Sequence, residues 1–383
     1  MKAWPEIPLF ELLQSANEPV SVQQDRSYPN FGIYSFGRGL FAKPDIDGMQ
    51  TSAATLYRVR AGNFIYSRLF AFEGSYGLVD DIFDGHFISN EYPSFSMDRS
   101  RLEPGFVKAY FQTPKVWQAI AMGSKGVGSR RIRVQPEQVM AHKIPLPPLE
   151  EQQAIVARLN TLADKTRQLK AHLDAVERDA EHLLALRFRD AIANAPLRTM
   201  AKIAPLVRRE QSIDLNGSYP ELGIRSFGKG TFHKPPLSGG DVGTKRLFSI
   251  EPGDLLFSNV FAWEGAIAIA QTEDAGRFGS HRFITCVPDQ RLTSADFLRY
   301  YFLTDEGMLK ISEASPGGAG RNRTLGLEKL MAIEVPIPPL KTQQTFDRLQ
   351  AEVAALKAKH TAIRAANAAL LPATLERIFQ QAH

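Results

Sequence analysis

Cysteine is almost missing: Cys286 is the only one in 383 residues. A single thiol excludes an internal disulfide and a cysteine-rich zinc site. Long apolar runs are absent too, and none has the length of a membrane-crossing helix. The opening stretch, "MKAWPEIPLFELL", has neither the apolar core nor the small-residue cleavage site of a secretory signal. The expected compartment is therefore the cytoplasm. The eight histidines make no H-E-x-x-H or comparable spacing, so no metal site is expected. No Asp-x-Lys or Glu-x-Lys occurs, which argues against a nuclease built on an acidic-x-Lys pair. Pro-Pro pairs sit in "LPPL", "KPPL" and "IPPL", not after Asn, Asp or Ser and before an aromatic, as an amino-methyltransferase would need. Neither of these catalytic sites is expected in the chain.

What is present is ordinary for a globular protein: 44% hydrophobic and 23% charged residues. The length suits two or three domains, each with its own core. A formal net charge of +5 permits a polyanionic partner without demanding one.

The chain then repeats itself. "GIYSFGRGLFAKP" begins at Gly32 and "GIRSFGKGTFHKP" at Gly223, 191 residues later. The same offset carries Tyr28-Pro29 to Tyr219-Pro220, Ser67 to Ser258, Glu73-Gly74 to Glu264-Gly265, Phe106 to Phe297 and Tyr110-Phe111 to Tyr301-Phe302. It ends on "IPLPPLEEQQ" from Ile144 and "VPIPPLKTQQ" from Val335. No gap is needed between Tyr28 and Gln153. The chain is a tandem duplication of a unit too long for a solenoid repeat.

Each unit has a front and a back. The front spans 1–143 in the first copy and 197–334 in the second. Segments 63–72 and 254–270 read as strands joined by tight turns, and 105–121 and 295–312 as helices. This predicts a mixed α/β domain with a strongly bent sheet. The back, 144–196 and 335–383, follows a proline cluster and predicts a long helix. Apolar positions step by four and three: Ile155, Leu159, Leu162, Leu169, Leu173, Val176 and Leu183 in the first, Phe346, Leu349, Val353, Leu356, Ile363 and Leu370 in the second. Such stripes predict an antiparallel coiled coil, with His360 and Asn367 fixing its alignment. The plainer reading is that each helix covers its own domain. Pro372 is expected to kink or end the second helix. At about 40 residues, each helix is roughly 60 Å long and suits a spacer.

The glycine-rich sentence meets half of a phosphate-loop pattern at Gly223–Lys229. Gly230 then stands where Ser or Thr must meet magnesium. A β-turn requiring positive φ is the better reading. Glu73 and Glu264 are one carboxylate per domain, too few for acid–base catalysis. They are expected to be structural, with an acceptor for a cytosine amino group as the alternative. Binding remains. Basic, amide and hydroxyl side chains recur in the loops of the first front: Arg38, Lys43, Ser67, Arg68, Asn90, Lys125, Arg130, Arg131 and Arg133. The second front offers Lys229, Lys234, Ser258, Asn259, His281, Arg282, Arg321 and Arg323. Such groups suit phosphate contacts and guanine reading, although any single one is as well explained as a solvated loop.

Two globular domains alternating with two long helices, each opened by P-(L/I)-P-P-L-x-x-Q-Q, resemble the DNA-specificity subunit of type I restriction-modification systems. The resemblance covers essentially the whole chain. It implies a pseudo-twofold tandem repeat in which each target recognition domain reads one half of a split double-stranded DNA target. It also implies a prokaryotic, non-catalytic subunit that docks two modification subunits and, in the full complex, two motor-nuclease subunits. S-adenosylmethionine, ATP and magnesium would belong to those partners, and none to this chain. An adaptor binding protein through the same domains, and a module derived from a fused restriction enzyme, stay open as alternatives.

Overall fold

The structure is a computed structural model that describes residues 4–122, 133–317 and 323–380. The chain divides into two compact units, Met1–Leu173 with His360–His383, and Asp174–Lys359. Each holds one globular half and a part of both long helices.

In the first unit a short ribbon pairs Glu6–Pro8 with Lys143–Pro145, closing the domain on itself just before the proline cluster. Between these strands lie two further sheets. The antiparallel one orders Leu13–Ser15, Ser94–Met97, Phe64–Tyr66 and Tyr76–Leu78. The mixed one orders Glu18–Ser21, Thr55–Arg58, Phe87–Ile88, Ser27–Ile33 and Leu40–Asp47. Its one parallel contact pairs Asn30 with Phe87. Two sheets replace the single bent sheet expected from the sequence. The main core lies between the first of them and the helices, and buries Phe64, Tyr66, Tyr76, Phe95, Phe106 and Phe111. The expected helix at 105–121 is two helices, Pro104–Tyr110 and Pro114–Ala121. Pro114 lacks the N–H to continue a helix and starts a new one instead.

The second unit repeats this plan. Leu197–Thr199 pairs with Glu334–Pro336. One sheet joins Ile267–Ile269, Leu255–Ser258 and Phe283–Cys286; the other orders Glu210–Gln211, Leu247–Ser249, Phe278–Ser280, Ser218–Ile224 and Thr231–Ser238. Its parallel contact, Glu221 with Phe278, is the duplicate of the first. The expected helix at 295–312 is again broken, into Ala295–Phe302 and Asp305–Glu313. Here Thr304 caps the second piece, its Oγ1 accepting from Gly307 N at 3.2 Å.

The long helices run Leu149–Ile192 and Leu340–Gln380. Glu150 and Glu151 occupy the first turn of the first helix, where the helix dipole favours them. The proline-glutamine motif explains itself at these starts. Gln152 and Gln343 are fully buried. The Gln152 amide donates to Arg101 O at 2.9 Å and Pro147 O at 2.8 Å, and its carbonyl accepts from Glu103 N at 2.9 Å. Gln343 donates to Leu292 O at 2.9 Å and Pro338 O at 2.8 Å, and accepts from Thr293 Oγ1 at 2.9 Å and Ser294 N at 3.2 Å. Each glutamine thus ties a helix start to the loop ahead of its domain's first core helix.

The helices pair antiparallel within each unit. In the second, Phe188 and Phe346 have ring centroids 5.2 Å apart, and Lys357 Nζ lies 2.6 Å from Glu181 Oε1. In the first, Asn367 Nδ2 donates to Thr166 O at 3.1 Å across the seam, so Asn367 does align the pair. Leu159, Leu173, Phe346 and Val353 are buried; Ile155, Leu162, Leu169, Val176, Leu349 and Leu356 are half-buried. Ile363 and Leu370 correct the expected stripe, being 41% and 48% exposed. So does Leu183. Arg364 and Leu371 take the places expected for Ile363 and Leu370 while Asn367 keeps its own, and two fours from Asn367 through Leu371 carry the inner face onto Leu375. The first helix shifts likewise onto Leu184 and Phe188. Pro372 does not end the second helix, which continues through it to Gln380. Burial of Leu375 and Phe379 in the first unit's core holds the turns beyond the proline.

Candidate nucleic-acid interface

The glycine-rich sentence forms the tip of a hairpin in each half, pinned from behind at three points. In the first half Phe36 N donates to Glu73 O at 2.7 Å, Gly37 N to Gly74 O at 2.9 Å, and Ser35 Oγ to Glu73 Oε2 at 3.0 Å. In the second, Phe227 N donates to Glu264 O at 2.8 Å, Gly228 N to Gly265 O at 2.8 Å, and Ser226 Oγ to Glu264 Oε2 at 3.0 Å. The matched glutamates therefore hold the turn in place, which is their structural role. Positive φ is required, as the sequence predicts: Gly37 and Gly228 both lie at 64°. The sequence does not reveal that the preceding phenylalanines share this region, Phe36 at 64° and Phe227 at 62°. A side chain there costs about 1–2 kcal/mol. Yet Phe36 is 62% exposed and Phe227 74%.

Cations cluster on these hairpins. The Arg38 guanidinium lies 5.0 Å from the Tyr34 ring centroid and 5.8 Å from that of Phe36. Lys229 Nζ lies 5.6 Å from the Phe227 ring, and the Arg225 guanidinium 5.1 Å from Phe232. Lys43 Nζ sits between Phe41, at 5.7 Å, and Tyr92, at 5.6 Å. Its duplicate Lys234 is half-buried.

Tyr92 leads from the hairpin into a cleft of about 220 Å³ lined by Asn17, Tyr57, Arg68, Asn90 and Gln135. Three separated sequence segments meet around it. Arg68 N donates to Glu91 O and Arg68 O accepts from Val134 N. The Arg68 Nη2 donates to Gln135 Oε1 at 2.7 Å, and Arg133 pairs with Glu91 Oε1 at 3.1 Å. The Ser67 hydroxyl, Arg68 Nε and one Glu91 carboxylate oxygen are buried without a hydrogen-bond partner among the described residues. Ser67 stands in a loop, as the sequence suggests, but is 1% exposed. It directly follows the core strand Phe64–Tyr66, and the chain turns outward at Arg68.

The second half brings the equivalent segments together with different groups. Asn259 N donates to Arg282 O, Asn259 O accepts from Leu325 N, and Asn259 Nδ2 donates to Leu325 O at 3.0 Å. Ser258 Oγ accepts from Phe261 N at 3.3 Å and is half-buried. His281 and Arg282 are exposed. Arg323 stacks over Trp263 at 5.4 Å and donates to Ser312 Oγ at 3.2 Å. Lys125, Arg130, Arg131 and Arg321 lie outside the described residues. No group of acidic, histidine and cysteine side chains suited to a metal occurs among the described residues, and no described helix is long and apolar enough to cross a membrane.

Comparison with known proteins places this architecture. A family model for the "Type I restriction modification DNA specificity domain" matches residues 112–178, from the edge of the first core through the proline cluster into the first long helix. The HsdS subunit from Thermoanaerobacter tengcongensis is similar over 100% of this chain and 97% of its own, with a TM-score of 0.67 at 20% identity. A chain from a structure described as the "Structural basis underlying complex assembly and conformational transition of the type I R-M system" covers 99% of this chain and 98% of its own, with a TM-score of 0.71 at 18% identity. No curated protein matches. The chain thus has the fold of HsdS subunits, and it resembles the DNA-specificity subunits of type I restriction-modification systems.

Proposed function

We propose that the chain is the sequence-specific DNA-binding subunit of a type I restriction-modification complex. The observation that supports this best is the pair of equivalent loop clusters: one hairpin tip with cations and one polar rim per globular half, on a scaffold that has the HsdS fold. Each rim mixes donors and acceptors with flanking positive charge. Base edges in a groove need the first, and phosphates the second. The chain itself is non-catalytic. It docks two modification subunits, and two motor-nuclease subunits in the full complex; S-adenosylmethionine, ATP and magnesium serve on those partners. The helices, of 44 and 41 residues, set the unread spacer between half-sites. Compartment follows function, in the prokaryotic cytoplasm beside the chromosome.

The test is methylome sequencing of a host with and without this gene and its modification partner. A split motif that vanishes with this gene is the expected result. Binding of duplex DNA should weaken steeply with salt, since phosphate contacts release counterions. Loss of the hairpin cations, Arg38→Ala with Lys229→Ala, should lower the salt slope by about one unit per lost contact. Salt-independent binding, or a methylome indifferent to the gene, overturns the reading and leaves a protein-binding adaptor.

A further inference from the structure

Phe36 and Phe227 are anomalous for any purely structural account. Each is a bulky side chain in the left-handed region, and each stands on a loop tip facing solvent. Solvent-exposed aromatics contribute little to folding, and glycine or asparagine would fit the backbone better. The turn is nevertheless held in that conformation by the two backbone hydrogen bonds and the serine–glutamate contact described above, and this happens twice in register. The strain therefore serves the position of the ring. A second exposed aromatic accompanies each one: Phe70 and Phe261, likewise duplicates, begin the turns on which the hairpins are pinned. The immediate surroundings are cationic, through Arg38 in one half and Lys229 in the other.

An apolar ring presented rigidly beside a positive charge matches a base-pair step next to a phosphate. It matches an apolar protein pocket poorly, because the cations would be desolvated there without partners. We infer that Phe36 and Phe227 are wedges that insert at a base-pair step of the bound duplex, one in each half-site, with Arg38 and Lys229 on the adjoining phosphates. Aromatic side chains used in this way unstack the step and kink the duplex. Stacking energy depends little on base identity, so the wedges contribute distortion and register and the polar rims contribute sequence. This inference rests on the DNA reading proposed above.

The test uses the full chain assembled with its modification partner and a duplex carrying the target read from the host methylome. 2-Aminopurine is placed at successive positions along that duplex. Binding should raise its fluorescence several-fold at one step in each half-site. Phe36→Asn should abolish the rise in one half-site only, and Phe227→Asn in the other only. Phe→Leu at either position should retain it, since leucine is also a competent wedge. Both Asn variants should melt at or above the parent temperature, because asparagine tolerates positive φ. Binding with no fluorescence rise at any step overturns the wedge and leaves the DNA reading intact. Asn variants that keep the signal but fail to copurify with the modification subunit also overturn it, in favour of a protein contact. A large fall in melting temperature would make the rings structural and overturn it as well. No DNA binding by the parent at low salt removes both readings together.

Discussion

Beneath the hairpin of the first half, Phe83 packs against Phe31, with ring centroids 4.9 Å apart. The duplicate of Phe83 in the second half is Asp274, and its surroundings have become polar to match. Asp274 accepts from Gln271 N and Thr231 Oγ1, both at 2.9 Å, and lies 2.9 Å from His233 Nε2. The equivalents of Thr231 and His233 are Leu40 and Ala42. A second exchange lies nearby: Arg209 makes a fork to buried Asp254, at 2.7 and 3.1 Å, where the first half has Glu18 and Asn63. Glu18 there accepts the fork of Arg60 instead, at 2.8 and 2.9 Å. Whole interaction sets have been replaced together, which is how a buried polar group stays satisfied.

Elsewhere the halves have not diverged. Phe379 packs on Phe106 and Tyr110 in the first, at 5.5 and 5.1 Å; Phe188 packs on their duplicates Phe297 and Tyr301 in the second, at 5.2 and 6.5 Å. Each globular half is thus gripped by the start of the helix that follows it and the end of the other. Fastening to the helices has been kept, and the outer sheet and the loop rims have drifted. The rim substitutions Arg68 to Asn259, Asn90 to His281 and Glu91 to Arg282 belong to the drifting set. Under the proposed function, the half-sites should then be related as imperfect reverse complements, and the methylome motif reads this directly.

The largest expected effect tests that fastening. Phe188→Ala and Phe379→Ala should each cost about 3–5 kcal/mol, as for other buried aromatic truncations. Hydrogen exchange should accelerate in Ala295–Phe302 for the first variant and in Pro104–Tyr110 for the second. Equivalent packing predicts equal losses. A loss confined to one variant would break the equivalence of the two halves. Gln152→Ala and Gln343→Ala come next, at about 1–3 kcal/mol each, because each leaves two carbonyls and a backbone N–H without their partner. Unfolding monitored in denaturant should show similar losses for both.

Much of this arrangement was legible in the sequence. The 191-residue offset identified the duplicated halves, and the proline-glutamine motif marked both helix starts. The same offset also carries Leu184 to Leu375 and Phe188 to Phe379, well past Gln153, and following it further would have located both helix ends. The seam was misplaced because a constant four-three rhythm was extended through a point where the chain uses two fours. Thr113-Pro114 and Thr304 broke helices that apolar periodicity alone joined. Composition and loop position pointed to the residues that line the polar rims. They give no sign of the positive φ at Phe36 and Phe227, since no residue-level pattern announces a strained backbone at a non-glycine position. Ser67 stands in a loop yet is buried, because it directly follows a core strand.

The polar network of the second half gives a smaller and pH-dependent contrast. Burial pushes the Asp274 carboxyl up, but hydrogen bonds from Gln271, Thr231 and His233 outweigh it and hold the group below its ordinary value. A carboxylate depressed in the folded state contributes stability that is present above its unfolded value and is lost as pH falls through the folded one. The second half should therefore lose stability in acid through this residue, while Phe83 gives the first half no such dependence. Asp274→Asn should flatten the acid limb of a stability–pH curve recorded on the second half. An unchanged limb would remove the network from the account.

The smallest effect concerns the shifted seam. On an unbroken four-three rhythm, Leu183 and Ile363 would be interior, and a charge at either would cost several kcal/mol. In the structure both are 41% exposed, and Leu184 and the half-buried Arg364 take the inner places. Leu183→Asp and Ile363→Asp should then change stability by no more than roughly 0.5 kcal/mol, in the range of ordinary surface substitutions. Leu184→Asp, one residue away, should unfold the second unit. The contrast between neighbours is the informative quantity, since both variants add the same charge to the same helix turn. Equal losses at Leu183 and Leu184 would put the phase change elsewhere and return Ile363 to the seam, whereas a loss at Leu184 alone fixes the two fours that both helices share.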